Sequence, residues 1–141
     1  MIKVSDDKSW AQLLGSIPFS QHRKSYSVRI EKTQYRNALI GVADSRLKNS
    51  PIYLKTPDAI WYHGYNGSVW GDGKRELWKG GRRLKTGNIV TINLDLNTGE
   101  VKWIIDEEPQ FRYSMEKLKD NEIYWVPFLA LHDQGDIVEW L

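Results

Sequence analysis

At 141 residues the chain has the size of one domain, residues 1–141, and enough length to bury a core of its own. It has no cysteine, which rules out a disulfide framework and a thiolate metal site. A net charge of +2 is too small to argue for nucleic acid, and no apolar run reaches membrane-spanning length. The opening MIKVSDDKSW lacks the apolar core of a secretion signal, so the expected setting is the cytoplasm.

In chain order, residues 7–15 place Trp10, Leu13 and Leu14 on one helical face between an acidic start and a glycine, which leaves a short helix open there. The pattern then changes to period two. Tyr26, Val28 and Ile30 share one face of an extended run, with Ser27 and Arg29 on the other. Further short runs at 38–43, 59–63, 76–79, 89–96, 101–105, 125–131 and 137–140 read as strands, and 114–119 reads as a loop. Turn residues separate them at Asn66-Gly67, Asp72-Gly73, Gly80-Gly81, Asn97-Thr98-Gly99 and Gln134-Gly135-Asp136.

The clearest stretch is 86–106, TGNIVTINLDLNTGEVKWIID. Val90, Ile92, Leu94 and Leu96 alternate with polar residues, and Val101, Trp103 and Ile105 resume the apolar face beyond Gly99. That is the pattern of a hairpin with one buried face. Many short strands between closely spaced turns indicate an all-β sandwich or barrel.

The side chains that could carry chemistry are dispersed. His22, His63 and His132 have no metal-ligand spacing, and no serine sits in a nucleophile context. Asp106, Glu107 and Glu108 are consecutive and read as a solvated loop, while Asp133 and Asp136 offer too few oxygens for calcium. The glycine pairs are not followed by a helix start with Lys-Ser or Lys-Thr, so they are turns and not phosphate loops. The expectation is a protein that is not an enzyme, with no cofactor and no metal. Lys74, Arg75, Lys79, Arg82, Arg83 and Lys85 form a basic run that reads as charge guarding a strand edge.

Aromatic residues are plentiful, with seven Trp and seven Tyr, and they have to fill a core or furnish a recognition surface. Trp103 is in phase with the hairpin's apolar face and belongs to the core, with Trp125 and Phe128 in or near it. Tyr53, Trp61, Tyr62, Tyr65 and Trp70 lie in or beside turn-rich sequence, where binding residues of rigid sandwiches commonly sit. Trp61, Tyr65, Asn66 and Trp70 also keep a carbohydrate-stacking alternative open.

Five segments in order carry a family resemblance: SYSVRIEK at 25–32, LIGVAD at 39–44, WYHGYNGSVWGDG at 61–73, the hairpin at 86–106, and WVPFLAL at 125–131. Together they resemble a divergent SPRY domain over residues 17–140. The resemblance implies an antiparallel two-sheet β-sandwich that binds a short segment of a partner protein through loops at one end, as a substrate-recognition or scaffold domain. It implies a monomer with a protein or peptide partner, and neither membrane nor nucleic acid. Carried over by position, it points to Gln21, His22 and Arg23, to Trp61, Tyr62 and Tyr65 before Trp70, and to the late loop His132, Asp133 and Gln134. Peptide binders of the family have Trp-Gly in that late loop, where this chain has Asp133-Gln134.

Overall fold

The computed structural model describes residues 2–3, 11–47, 58–133 and 135–141. Within them the strands are β1 (Ile2–Lys3), β2 (Ala11–Leu14), β3 (Ser25–Lys32), β4 (Ala38–Asp44), β5 (Ala59–His63), β6 (Ser68–Gly71), β7 (Lys74–Trp78), β8 (Ile89–Asp95), β9 (Glu100–Ile105), β10 (Glu108–Ser114), β11 (Trp125–Leu131) and β12 (Ile137–Trp140). Two antiparallel six-stranded sheets face each other, one in the order β1-β12-β3-β8-β9-β10 and the other β2-β11-β4-β5-β6-β7. No helix among the described residues is long and apolar enough to cross a membrane.

The predicted hairpin is β8 and β9. Asp95 Oδ1 accepts the N–H groups of Asn97 and Thr98 at 2.9 and 3.2 Å, and Gly99 supplies the left-handed residue at φ 73°. Val90, Ile92, Leu94, Val101, Trp103 and Ile105 are buried between the sheets, and the Trp103 indole N–H crosses to the Ile40 carbonyl at 2.9 Å. The core therefore has a polar tie from sheet to sheet through a buried indole.

The other sheet is apolar on both faces at its centre. All seven residues of β4 and of β11 are buried, and Leu39, Ala43, Ala59, Trp61, Phe128 and Ala130 form a second cluster apart from the main core. Strands covered on both faces read as continuous apolar runs with no phase, as ALIGVAD and WVPFLAL do.

Several expectations are corrected. Residues 11–14 are a strand and not part of a helix: Leu13 and Leu14 pair with Leu129 and Phe128, so the β11 edge overrides their helical spacing. Residues 7–10 lie outside the described ones. Glu108 opens β10, leaving Asp106 and Glu107 as a tight turn with φ of 49° and 67°. Ser68–Gly71 is a strand that the turn-rich sequence concealed, the edge strand expected at 76–79 is Lys74–Trp78, and Glu116–Lys119 is a 3-10 turn within the expected loop.

The register defines two ends. The chain enters β3 at Ser25, beside the β8–β9 turn, since Ser25 pairs with Asn93 and Leu94 N–H reaches the Lys24 carbonyl at 2.7 Å. It leaves β3 at Lys32, where residues 33–37, the β5–β6 turn and the loop after Leu131 gather, because Leu131 pairs with Ala38 and Leu39 with His63. Eight strand residues separate these ends by roughly 23 Å.

Candidate functional site: a groove at the open edge of the sandwich

Pro127 sets one boundary of this groove. Its carbonyl accepts the Gly15 N–H at 2.8 Å, but it has no N–H to return, so the β2–β11 ladder stops there. A Cβ on Gly15 would come within 2.8 Å of the Pro127 ring, so only glycine fits against it. Beyond this point the chain leaves the sheet and runs through Ile17 to Phe19, whose N–H binds the Trp125 carbonyl at 2.8 Å.

The departure leaves an open groove of about 460 Å³ between the sheets. That volume is within the range of small-ligand and side-chain pockets. Tyr26, Pro127 and Trp140 line it. Tyr26 is fixed by its hydroxyl, which donates to the Gly41 carbonyl, and its ring meets Trp140 at 5.4 Å and Phe19 at 5.8 Å. Burial drives the Tyr26 phenol far above its usual pKa, so it stays a neutral donor. The rim carries exposed Leu13, Ile17 and Leu141, at 36%, 56% and 55%, which brings half of the large exposed apolar side chains of the described residues to one place. The wall contains Arg23 and Ser25.

Arg23 stands on a pinned loop. Ser20 Oγ accepts the N–H groups of His22 and Arg23 at 3.1 and 3.0 Å, and Ser20 N–H binds the Arg23 carbonyl at 2.9 Å. Gln21 and His22 are exposed on the same turn.

The remaining expected residues lie elsewhere. Tyr65 is 53% exposed at the far end, with its ring against His63 at 6.0 Å. His132 and Asp133 are at that end too, with the His132 ring nitrogen 3.2 Å from Asp133 Oδ1, and Gln134 lies outside the described residues, as does Tyr53. Trp61 and Tyr62 are corrected from surface to interior. Tyr62 is fully buried in the main core and donates to the Arg82 carbonyl at 2.6 Å, and Trp61 is buried in the second cluster against Phe128. Both faces of β5 are covered over Ala59 to Tyr62, and only His63 at its end is half-buried. Trp70 is half-buried with its indole N–H bound to Ser68 Oγ at 2.7 Å. Asn66 Oδ1 is also engaged, by the Ser68 N–H and hydroxyl. Of the aromatic set in the carbohydrate reading, Trp61 is buried, Trp70 half-buried and Tyr65 exposed.

The three expected places do not converge. Gln21, His22 and Arg23 are at the entry end of β3, and Tyr65 and His132 at its exit end. Leu13, Ile17, Tyr26, Trp140 and Leu141 were not anticipated as a site. Their one sequence signal is a proline inside an apolar strand run and a glycine after two leucines.

The basic run is partly neutralised. Arg82 is 3.4 Å from Asp106 and 3.5 Å from Glu108, which ties the β7–β8 connection to the β9–β10 turn. Beside it the sandwich closes on an aromatic stack, Trp78 against Phe111 at 4.6 Å and nearly parallel, with the Tyr113 hydroxyl donating to Asp72 at 2.8 Å.

Two six-stranded antiparallel sheets with a sealed aromatic edge and an open one define an all-β sandwich. In solved structures this arrangement is found in SPRY domains. A human SPRY domain matches with a TM-score of 0.78 over 96% of this chain and 86% of that one, at 12% identity. The SPRY domain of human HERC1 matches with a TM-score of 0.71 over 93% of this chain and 81% of that one, at 17% identity. No protein-family model matches the sequence, and none of the curated proteins does. By fold the chain is a divergent SPRY-like domain.

Proposed function

We propose that this domain, residues 1–141, is a non-catalytic protein-interaction module that docks a short segment of a partner protein, and that the segment lies in the groove beside β2. The observation that carries this reading is the gathering of exposed Leu13, Ile17 and Leu141 over a floor of Tyr26, Pro127 and Trp140. Removing that apolar surface from water drives binding. The floor is held by hydrogen bonds and ring contacts, so little is ordered on binding. The SPRY-like fold supports the same reading through what such domains generally do. The loop with Gln21, His22 and Arg23 belongs to this site. Tyr65, His132 and Asp133 form a separate surface at the far end, which a segment seated in the groove does not need. In this reading the domain acts as a monomer in the cytoplasm, for substrate recognition or scaffolding, with no cofactor.

The test is selection of a displayed random peptide library on the wild-type domain, followed by titration of the selected peptides against Ile17→Asp. Ile17 is exposed, so the variant should keep the wild-type melting temperature. Selected peptides should bind it at least about tenfold more weakly, as for loss of an interface anchor. Equal affinity for both proteins contradicts the placement.

A further inference from the structure

The groove is lined by apolar side chains and hydroxyls, with one exception. Arg23 is the one charged side chain among its described lining residues. Three other arginines of the fold are ion-paired, Arg29 with Glu139, Arg46 with Asp44, and Arg82 with Asp106 and Glu108, and none of these lines the groove. Among the described residues the Arg23 guanidinium has no carboxylate partner, although the Ser20 turn fixes the backbone from which it projects. A cation held beside an apolar floor, without an anion of its own, is complementary to a ligand that brings both an apolar group and a negative charge.

Resting on the docking reading just given, the geometry points to an acidic-hydrophobic occupant. It is an extended segment of a partner protein that seats one aliphatic or aromatic side chain among Leu13, Ile17, Tyr26 and Trp140, and places a neighbouring Asp or Glu carboxylate on Arg23. The planar guanidinium fork donates two parallel N–H bonds to a carboxylate, which gives the segment its direction as well as affinity. The Ser25 hydroxyl in the same wall offers a further polar contact. Apolar burial supplies the attraction and Arg23 supplies the selection.

The test is an array of synthetic eight-residue peptides, each with one Leu, Ile, Phe or Trp combined with Asp, Asn or Lys at every other position. Binding is measured by fluorescence anisotropy on wild type, Arg23→Glu and Ile17→Asp. Wild type should prefer Asp over Asn by about tenfold at one spacing from the apolar residue, a charge-assisted contact's share. Arg23→Glu should reverse the preference towards Lys, and Ile17→Asp should weaken every peptide. Peptides that bind without charge preference, or with one that Arg23→Glu leaves intact, overturn this inference while the docking reading stands. Failure of every peptide on wild type overturns the docking reading itself. Self-association that Ile17→Asp abolishes, seen by sedimentation, gives the groove to a second copy of the chain and overturns the inference as well.

Discussion

Trp103 and Tyr62 enter the core from opposite sheets, and each sends its polar atom to a backbone carbonyl, Ile40 in one case and Arg82 in the other. Each is fully buried, so truncation leaves a ring-sized cavity. Trp103→Ala and Tyr62→Ala should each cost about 3–5 kcal/mol in urea denaturation. Tyr62→Phe keeps the ring and strands the Arg82 carbonyl, for about 1 kcal/mol. Gly81 exists for the same bond: a Cβ there would stand 2.1 Å from the Tyr62 hydroxyl. Gly81→Ala should therefore destabilise by about 1–3 kcal/mol, as overpacking does. A Tyr62→Ala protein as stable as wild type would contradict the placement of β5.

The turns between elements are held by carboxylates, and their ionisation gives the fold a pH dependence. The Ile89 N–H is the main group holding the Asp106 carboxyl below its usual range, and the Asn88 amide and Arg82 add to it against partial burial. The N–H groups of Thr98 and Asn97 lower Asp95 in the same way. A carboxyl lowered in the folded state contributes stability that is present above its unfolded pKa, about 4, and lost as pH falls through the folded value. Asp136 has the opposite sign. Burial raises it despite the Gln34 N–H and Thr33 hydroxyl it accepts, so its contribution is full below the unfolded pKa and lost as pH rises through the folded one. Stability followed from pH 6 down to about 2.5 should fall below about pH 4. Asp106→Asn should flatten that fall, whereas Asp136→Asn should become less costly relative to wild type as pH rises. Parallel profiles for all three proteins would contradict these assignments.

The same elements explain what could be read from the chain. The β8–β9 hairpin was legible because one face is buried and the other wet, which prints period two into the sequence. In β5 both faces are covered, so AIWYH has no phase that would separate buried Tyr62 from a surface residue. Strand β2 is specified by its partner β11 more than by its own spacing, which leaves helix and strand undecided in the sequence. The groove was not legible because its floor and rim come from four distant segments, residues 13–17, 23–26, 127 and 140–141. Arg23 alone was anticipated, through resemblance and not through chemistry.

For the whole molecule, the two edges of the sandwich differ. One is sealed by Trp78, Phe111 and Tyr113 and flanked by ion pairs from Arg82. At the other, Pro127 ends the ladder and exposed apolar side chains remain around a rigid floor. In the proposed function this open edge receives a partner segment. Amide chemical-shift mapping of the nitrogen-15-labelled domain, titrated with the tightest selected peptide, tests it most directly. Saturating shifts confined to residues 13–17, 23–27 and 138–141 are expected. Shifts centred instead on Tyr35, Tyr65 and His132 at the far end would contradict it.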